Sequence, residues 1–171
     1  MIPIPRQPLG RTDQGANIKY WLTTHFPHPD PDSLPWHIYL QKHHKSAVAG
    51  IAVGHLVYFY EYKYQKPIKN APKYPTGAEG IVRFAIVSGS IYDRDTVIEH
   101  TDGTKAYWFW GVPTSKEDDK GFVERAKVLS VLGYKPGGYL RGFNNGTGVK
   151  ELEDEQGRRL MELFRDGFRN R

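Results

Sequence analysis

Between Gly54 and Tyr64 the chain repeats with a period of two: Tyr58, Tyr60, Tyr62 and Tyr64 fall on one side, and Val57, Phe59, Glu61 and Lys63 on the other. Only an extended strand alternates side chains in this way, and aromatic and β-branched residues suit a pleated surface. The chain must therefore build a sheet around this segment. Two more strands follow, Gly80 to Ser88 and Lys105 to Val112, the second alternating Trp108, Trp110 and Val112 against Tyr107 and Phe109. No helical pattern separates the three. Parallel strands need helical crossovers, so a doubly wound parallel fold is disfavoured and a largely antiparallel sheet is expected.

The remaining segments complete the outline. Ile18 to Thr23 reads as a first strand, and His25 to Pro35, rich in proline and aspartate and without an apolar period, as an exposed loop. Trp36 to Ile51 is helix-like, with His43, His44 and Lys45 on a polar side and Val48 and Ile51 on an apolar one. Residues 65–79 form a basic loop. Thr114-x-x-Glu117 matches a capping box that opens a helix to about Val131. Thr147 to Leu152 is a short strand, and Asp154 to Arg169 a closing helix with Leu160, Leu163, Phe164 and Phe168 on one face. Residues 1–17 read as an arm and 18–171 as one domain, since 171 residues are about one domain at ~100–200 residues each. The predicted class is α+β: a mixed, mostly antiparallel sheet curled into a partial barrel, with flanking helices.

Charge is distributed unevenly. Residues 1–75 hold nine Lys and Arg against four Asp and Glu, whereas residues 76–171 hold fifteen of each, so the net charge of +5 belongs to the first part. Six of the seven histidines lie there too. A basic, His- and Tyr-rich part beside a neutral one suggests a face that meets an anion, of which nucleic acid is the commonest. The absence of cysteine removes disulfides, cysteine–metal sites and thiol nucleophiles. The N-terminal segment lacks the pattern of a signal peptide, and no run reaches the roughly 18 apolar residues of a membrane helix, so a soluble, cytoplasmic protein without a membrane partner is expected.

Enzymatic signatures are sparse. No serine lies in a G-x-S-x-G elbow, and the glycine-rich stretches Gly133-Tyr-Lys-Pro-Gly-Gly and Gly142-Phe-Asn-Asn-Gly-Thr-Gly match no nucleotide-binding fingerprint. His25, His28, Asp30 and Asp32 cluster on a loop, and His37, His43 and His44 follow, but their spacings match no standard metal pattern. Glu117, Asp118 and Asp119 fit the first turn of the expected helix, where they would complement its dipole. No cofactor, no metal and no catalytic activity are expected. The aromatic residues carry more: four Trp, eleven Tyr and eight Phe exceed a core's needs, and several neighbour polar or basic residues. Flat π faces stack on bases at about 1–3 kcal/mol each, and two or three around a pocket clamp a flipped nucleotide.

Certain motifs add a resemblance. Tyr20-Trp21-Leu22-Thr23-Thr24-His25-Phe26-Pro27, Trp36 with the polar segment after it, Gly54-His55-Leu56-Val57-Tyr58-Phe59-Tyr60 and Gly80-Ile81-Val82-Arg83-Phe84-Ala85-Ile86-Val87 together resemble, in order, the EVE domain of the PUA-like superfamily, a relative of YTH domains. The resemblance spans about residues 18–164. His55 stands where the family has an acid, and the basic motif after the Trp is here Gln41-Lys42-His43-His44-Lys45. The resemblance implies a PUA-like curled sheet whose aromatic pocket takes a modified, methylated base in DNA or RNA, either alone or as the recognition part of a modification-dependent restriction system with a nuclease partner. By position, Trp36 matches a cage aromatic and Thr23 and Thr24 the polar segment after the first strand, with Trp21, Trp108, Trp110 and Tyr64 as further pocket candidates. Charge placement, rather than the family, adds Lys42, Lys45, Lys66, Lys69 and Lys73 as phosphate contacts.

The expected function is thus a nucleic-acid-binding reader without chemistry of its own. Its rivals are an RNA-binding PUA-like module, a small metal-dependent hydrolase or nuclease using His25, His28 and nearby aspartates, and a protein-interaction module presenting the Tyr58–Tyr64 stripe.

Overall fold

A computed structural model describes residues 17–33, 35–138 and 147–167. Residues 1–16 of the expected N-terminal arm and most of the second glycine-rich stretch lie outside these residues. Among the described residues, nine strands and two α-helices follow one another: β1 Tyr20–His25, β2 Ile38–Gln41, β3 Leu56–Glu61, β4 Gly80–Val87, β5 Tyr92–Glu99, β6 Lys105–Val112, β7 Thr114–Asp118, β8 Val123–Glu124, α1 Arg125–Leu132, β9 Val149–Leu152 and α2 Asp154–Asp166. They form two sheets. The larger runs β7-β4-β3-β1-β9, with β8 also paired to β4, and the smaller runs β2-β6-β5. Every pairing between these strands is antiparallel except β1 with β3. The class is a mixed α+β fold, and among the described residues neither sheet closes into a barrel.

The larger sheet is covered on both faces. On one, Leu22, Tyr58, Tyr60 and Ile81 pack against Val128, Leu129, Leu160 and Phe164 of the helices. On the other, Trp21, Val57, Phe59 and Val82 pack against Ile38, Leu40 and Val112 of the smaller sheet. This explains why all six residues of β3 are buried. The tyrosine stripe is consequently a core seam rather than a display surface: Tyr58 donates its hydroxyl to the Gly157 carbonyl at 2.7 Å, and only beyond the strand does Tyr64 reach solvent, at 64% exposed. Burial drives the Tyr60 hydroxyl up to about 12. Helix α2 approaches closely because position 157 is glycine; a Cβ there would lie 2.1 Å from Cγ of Tyr20.

Two expected elements differ, and one strand is added. The helix expected over Trp36 to Ile51 is β2 followed by a 3₁₀ segment, Lys42–Val48. Ile38 and Leu40 alternate into the core against Val112 and Trp110, and this strand pairing overrides the local helical pattern. The helix expected from Thr114 is β7; its Thr114 hydroxyl, instead of capping, donates to the Trp36 carbonyl, and helix α1 begins only at Arg125. Strand β5 is additional to the sequence reading, because Tyr-Asp-Arg-Asp at its start reads as a charged turn. It forms a hairpin with β6. The closing helix agrees in register as far as Asp166, opened by a capping box between Glu153 and Gln156, and the expected Phe168 and Arg169 lie outside the described residues. Among the described residues no helix is long and apolar enough to cross a membrane.

Candidate functional site

The first group of expected pocket residues is committed to the core. Trp21 and Trp36 are each 2% exposed. Trp21 donates its indole N–H to Nδ1 of His55 at 3.1 Å. Trp36 donates its own to the Pro31 carbonyl at 3.0 Å, with the His25 ring stacked at 4.3 Å, the Arg83 guanidinium also at 4.3 Å and the edge of Phe59 at 5.5 Å. A ring so enclosed has no face open to a base, which corrects its expected role as a cage aromatic. Thr23 and Thr24 are likewise occupied: both hydroxyls donate to the Gly148 carbonyl, fastening β1 to the start of β9.

Beside Trp36 a buried arginine meets carboxylates that reach toward solvent. Arg83, on β4, is 8% exposed and bonds Glu117 at 2.7 Å, with Asp32 and Asp119 each at 3.7 Å. Glu117 and Asp119, expected to serve a helix dipole, lie in a strand and the turn after it and neutralise a buried guanidinium, while Asp118 accepts from the Lys120 backbone N–H. Arg83 Nε has no hydrogen-bond partner among the described residues, and the indole beneath the guanidinium supplies compensation of a different kind. Burial holds the neighbouring His25 at about 4, with His28, Arg83 and Arg94 adding to the depression and the Phe26 carbonyl opposing it. His25 is thus a neutral packing group at neutral pH. His28 binds Asp30 through its backbone, and among the described residues no three histidine or carboxylate groups are gathered to hold a metal.

The smaller sheet sets partly buried aromatic rings beside exposed basic groups, Trp110 also packing against the core that holds Ile38 and Leu40. Both ladders of β6 shift register around one residue: β2 passes from the Leu40–Trp110 pair to Gln41–Trp108, and β5 from Asp93–Trp110 to Thr96–Trp108, so Phe109 is skipped on both sides. A bulge breaks the regular alternation and re-aims side chains. Here it brings the Phe109 and Trp110 rings to 5.0 Å in an edge contact, although neighbours in a regular strand would point apart. The 3₁₀ segment lays Lys42 over Phe109 at 5.8 Å and Lys45 over Trp110 at 4.2 Å, and the Lys42 carbonyl accepts the Trp110 indole N–H at 3.1 Å. Both lysines are exposed, and neither forms an ion pair among the described residues. Trp108 lies in the same strand, partly buried.

No family model matches the chain, and no curated protein matches it. Among solved structures, the chain is similar to Rpa0253 from Rhodopseudomonas palustris, determined by NMR, at 15% identity over 86% of this chain and 93% of that one, with a TM-score of 0.47.

The other expected phosphate contacts divide. Lys66 pairs with Asp102 at 2.7 Å and Lys69 with Glu99 at 2.9 Å, tying the basic loop to the β5–β6 hairpin. These bonds hold the Glu99 and Asp102 carboxyls below the usual carboxylate range. The two lysines are therefore neutralised locally. Lys73 is exposed, and Tyr64 stands outside the smaller sheet with Lys63 at 5.3 Å from its ring. Away from these, Arg125, Leu129, Gly133, Tyr134 and Pro136 help line a groove of about 520 Å³ at the end of α1. Gly133 there serves as the left-handed helix cap, which accounts for the start of the first glycine-rich stretch.

Proposed function

We propose that this chain binds nucleic acid as a PUA-like reader in the cytoplasm, holding phosphates at Lys42 and Lys45 and stacking a modified, methylated base on the Trp110–Phe109 pair. The observation that carries this reading is the placement of two lysines, without ion pairs among the described residues, directly over two adjacent aromatic rings at the β6 bulge. A cation beside a π face serves both parts of a nucleotide: the ring stacks the base, and the ammonium meets the phosphate next to it. The pocket is thus shifted from Trp36 to β6, while Lys42 and Lys45 keep the role that charge placement assigns them. The chain contributes recognition only, and a nuclease partner would supply any cleavage.

The test is anisotropy binding to matched DNA and RNA strands with and without 5-methylcytosine or N6-methyladenine, over a range of salt. Lys42→Ala with Lys45→Ala should weaken all sequences about equally and flatten the slope of log K against log salt by about 0.7–0.9 for each phosphate no longer neutralised. Trp110→Ala should remove the preference for the modified strand. Absence of salt-dependent binding to every strand by the wild-type chain would overturn the reading.

A further inference from the structure

The outer face of the smaller sheet carries a second arrangement of aromatic and cationic groups, distinct from the Lys42–Trp110 patch. Ile38 and Leu40 are fully buried, so by strand alternation Tyr39 and His37 project to the opposite face. Tyr39 and Tyr92 both pair with Gly111, one from each side, which sets the three residues in a row across β2, β6 and β5. Gly111 is what lets the row lie flat: a Cβ there would stand 2.3 Å from Cζ of Tyr92, so the tyrosine ring occupies the space a side chain would fill. The Tyr92 hydroxyl is bonded to Nδ1 of His37 at 2.7 Å. The second ring nitrogen of His37 has no partner among the described residues.

Arg94 completes the group. It lies in the β5 bulge between Asp93 and Thr96, next to Asp95 at φ +47°, a left-handed backbone that a regular strand does not contain. The bulge places its guanidinium over the Tyr39 ring at 3.8 Å. Arg94 is partly exposed and, among the described residues, forms no ion pair. The buried arginine of this fold is used differently: Arg83 is surrounded by three carboxylates. A planar cation laid on an aromatic ring, with no carboxylate drawing it away, is a surface on which a further π system stacks.

We infer that Arg94 on Tyr39 is a platform for a second, unpaired nucleobase, whose edge meets the second ring nitrogen of His37 and the Tyr92 hydroxyl. The inference rests on the nucleic-acid reading above and adds the strand type. A base paired and stacked within a duplex shows only its edge, whereas an unpaired base can lay its face on the guanidinium. The chain should therefore prefer single-stranded segments to duplex of the same sequence.

The experiment uses the full chain and fluorescein-labelled single strands of roughly 12 nucleotides, the scale a small sheet domain covers, with their duplex as comparison. A parallel set carries 2-aminopurine, whose emission is quenched when it stacks. Arg94→Lys keeps the charge and removes the plane, and should weaken single-strand binding about five- to a hundredfold, abolish part of the quenching and leave the salt slope unchanged. Urea unfolding of the same variant, unchanged from wild type, would establish that the weaker binding is not a failure to fold. If Arg94→Lys binds as wild type while Arg94→Ala does not, the guanidinium meets a phosphate and the platform is overturned. Equal wild-type affinity for single strand and duplex overturns it as well. Absence of salt-dependent binding by wild type to any strand would instead remove the underlying reading, a result distinguishable from either.

Discussion

Replacing Trp36 by alanine separates a core role from a pocket role, because the two make opposite predictions. A cage aromatic at the surface is removed at little cost to stability and at large cost to base preference. In this structure the indole is 2% exposed, touches His25, Arg83 and Phe59, and donates a hydrogen bond to Pro31. Truncating a buried Trp costs about 3–5 kcal/mol through forfeited transfer energy and the cavity left behind. With a urea m-value near 2 kcal/mol/M, the midpoint should fall by roughly 1.5–2.5 M. The His25 ring, held at about 4 by burial, should also titrate nearer its ordinary value once its stacking partner is gone. Urea unfolding followed by circular dichroism and an NMR titration of the histidine ring protons measure both. A midpoint shift worth less than about 1 kcal/mol, with His25 still near 4, would refute the core assignment.

Other consequences follow from the same packing. A histidine whose folded value lies below its unfolded one stabilises fully above about pH 6.5 and forfeits that contribution as the pH falls toward 4, so His25 should make stability decline across this window by at most about 3 kcal/mol, and His25→Gln should flatten the decline seen in urea midpoints. Gly157→Ala should cost about 1–3 kcal/mol, read as a lower thermal midpoint, because the added methyl meets the Tyr20 ring; an unchanged midpoint would mean α2 can lift freely. Arg83→Met should lower stability by about 1–3 kcal/mol, less than for a fully buried pair because Glu117 can turn to water, and Glu117→Gln added to it should restore part of the deficit in the urea midpoint.

Local pattern was a sound guide where it agreed with its surroundings. The β3 alternation, the β4 run and the amphipathic closing helix were all legible, since each has one period and ends in recognisable punctuation. Thr114-x-x-Glu117 misled because a capping box is a local signal, and here both side chains have stronger distant partners: the Trp36 carbonyl and Arg83. For the site, Lys42 and Lys45 were legible as exposed charge, and Trp110 as an aromatic near it. Arg94, Tyr39 and Tyr92 were not, because the strand that brings them together begins with residues that locally favour a turn.

By itself the sequence determined the composition of this protein's layers: which runs extend, which helix turns an apolar face inward, and that positive charge gathers in the first half. Those follow from periods of two and 3.6 residues and from counting charges, which are properties of neighbours along the chain. Only the tertiary structure decided which aromatics are covered. How far Trp36 or Trp110 meets solvent depends on what packs over it from distant parts of the chain: His25 and Arg83 on the first, Lys45 and one edge of the core on the second. The same holds for charge, since Lys66 is neutralised by Asp102 and Lys45 by no carboxylate among the described residues. Burial and pairing are sums over neighbours in space, and a bulge of one residue in β6 is enough to change which neighbours those are.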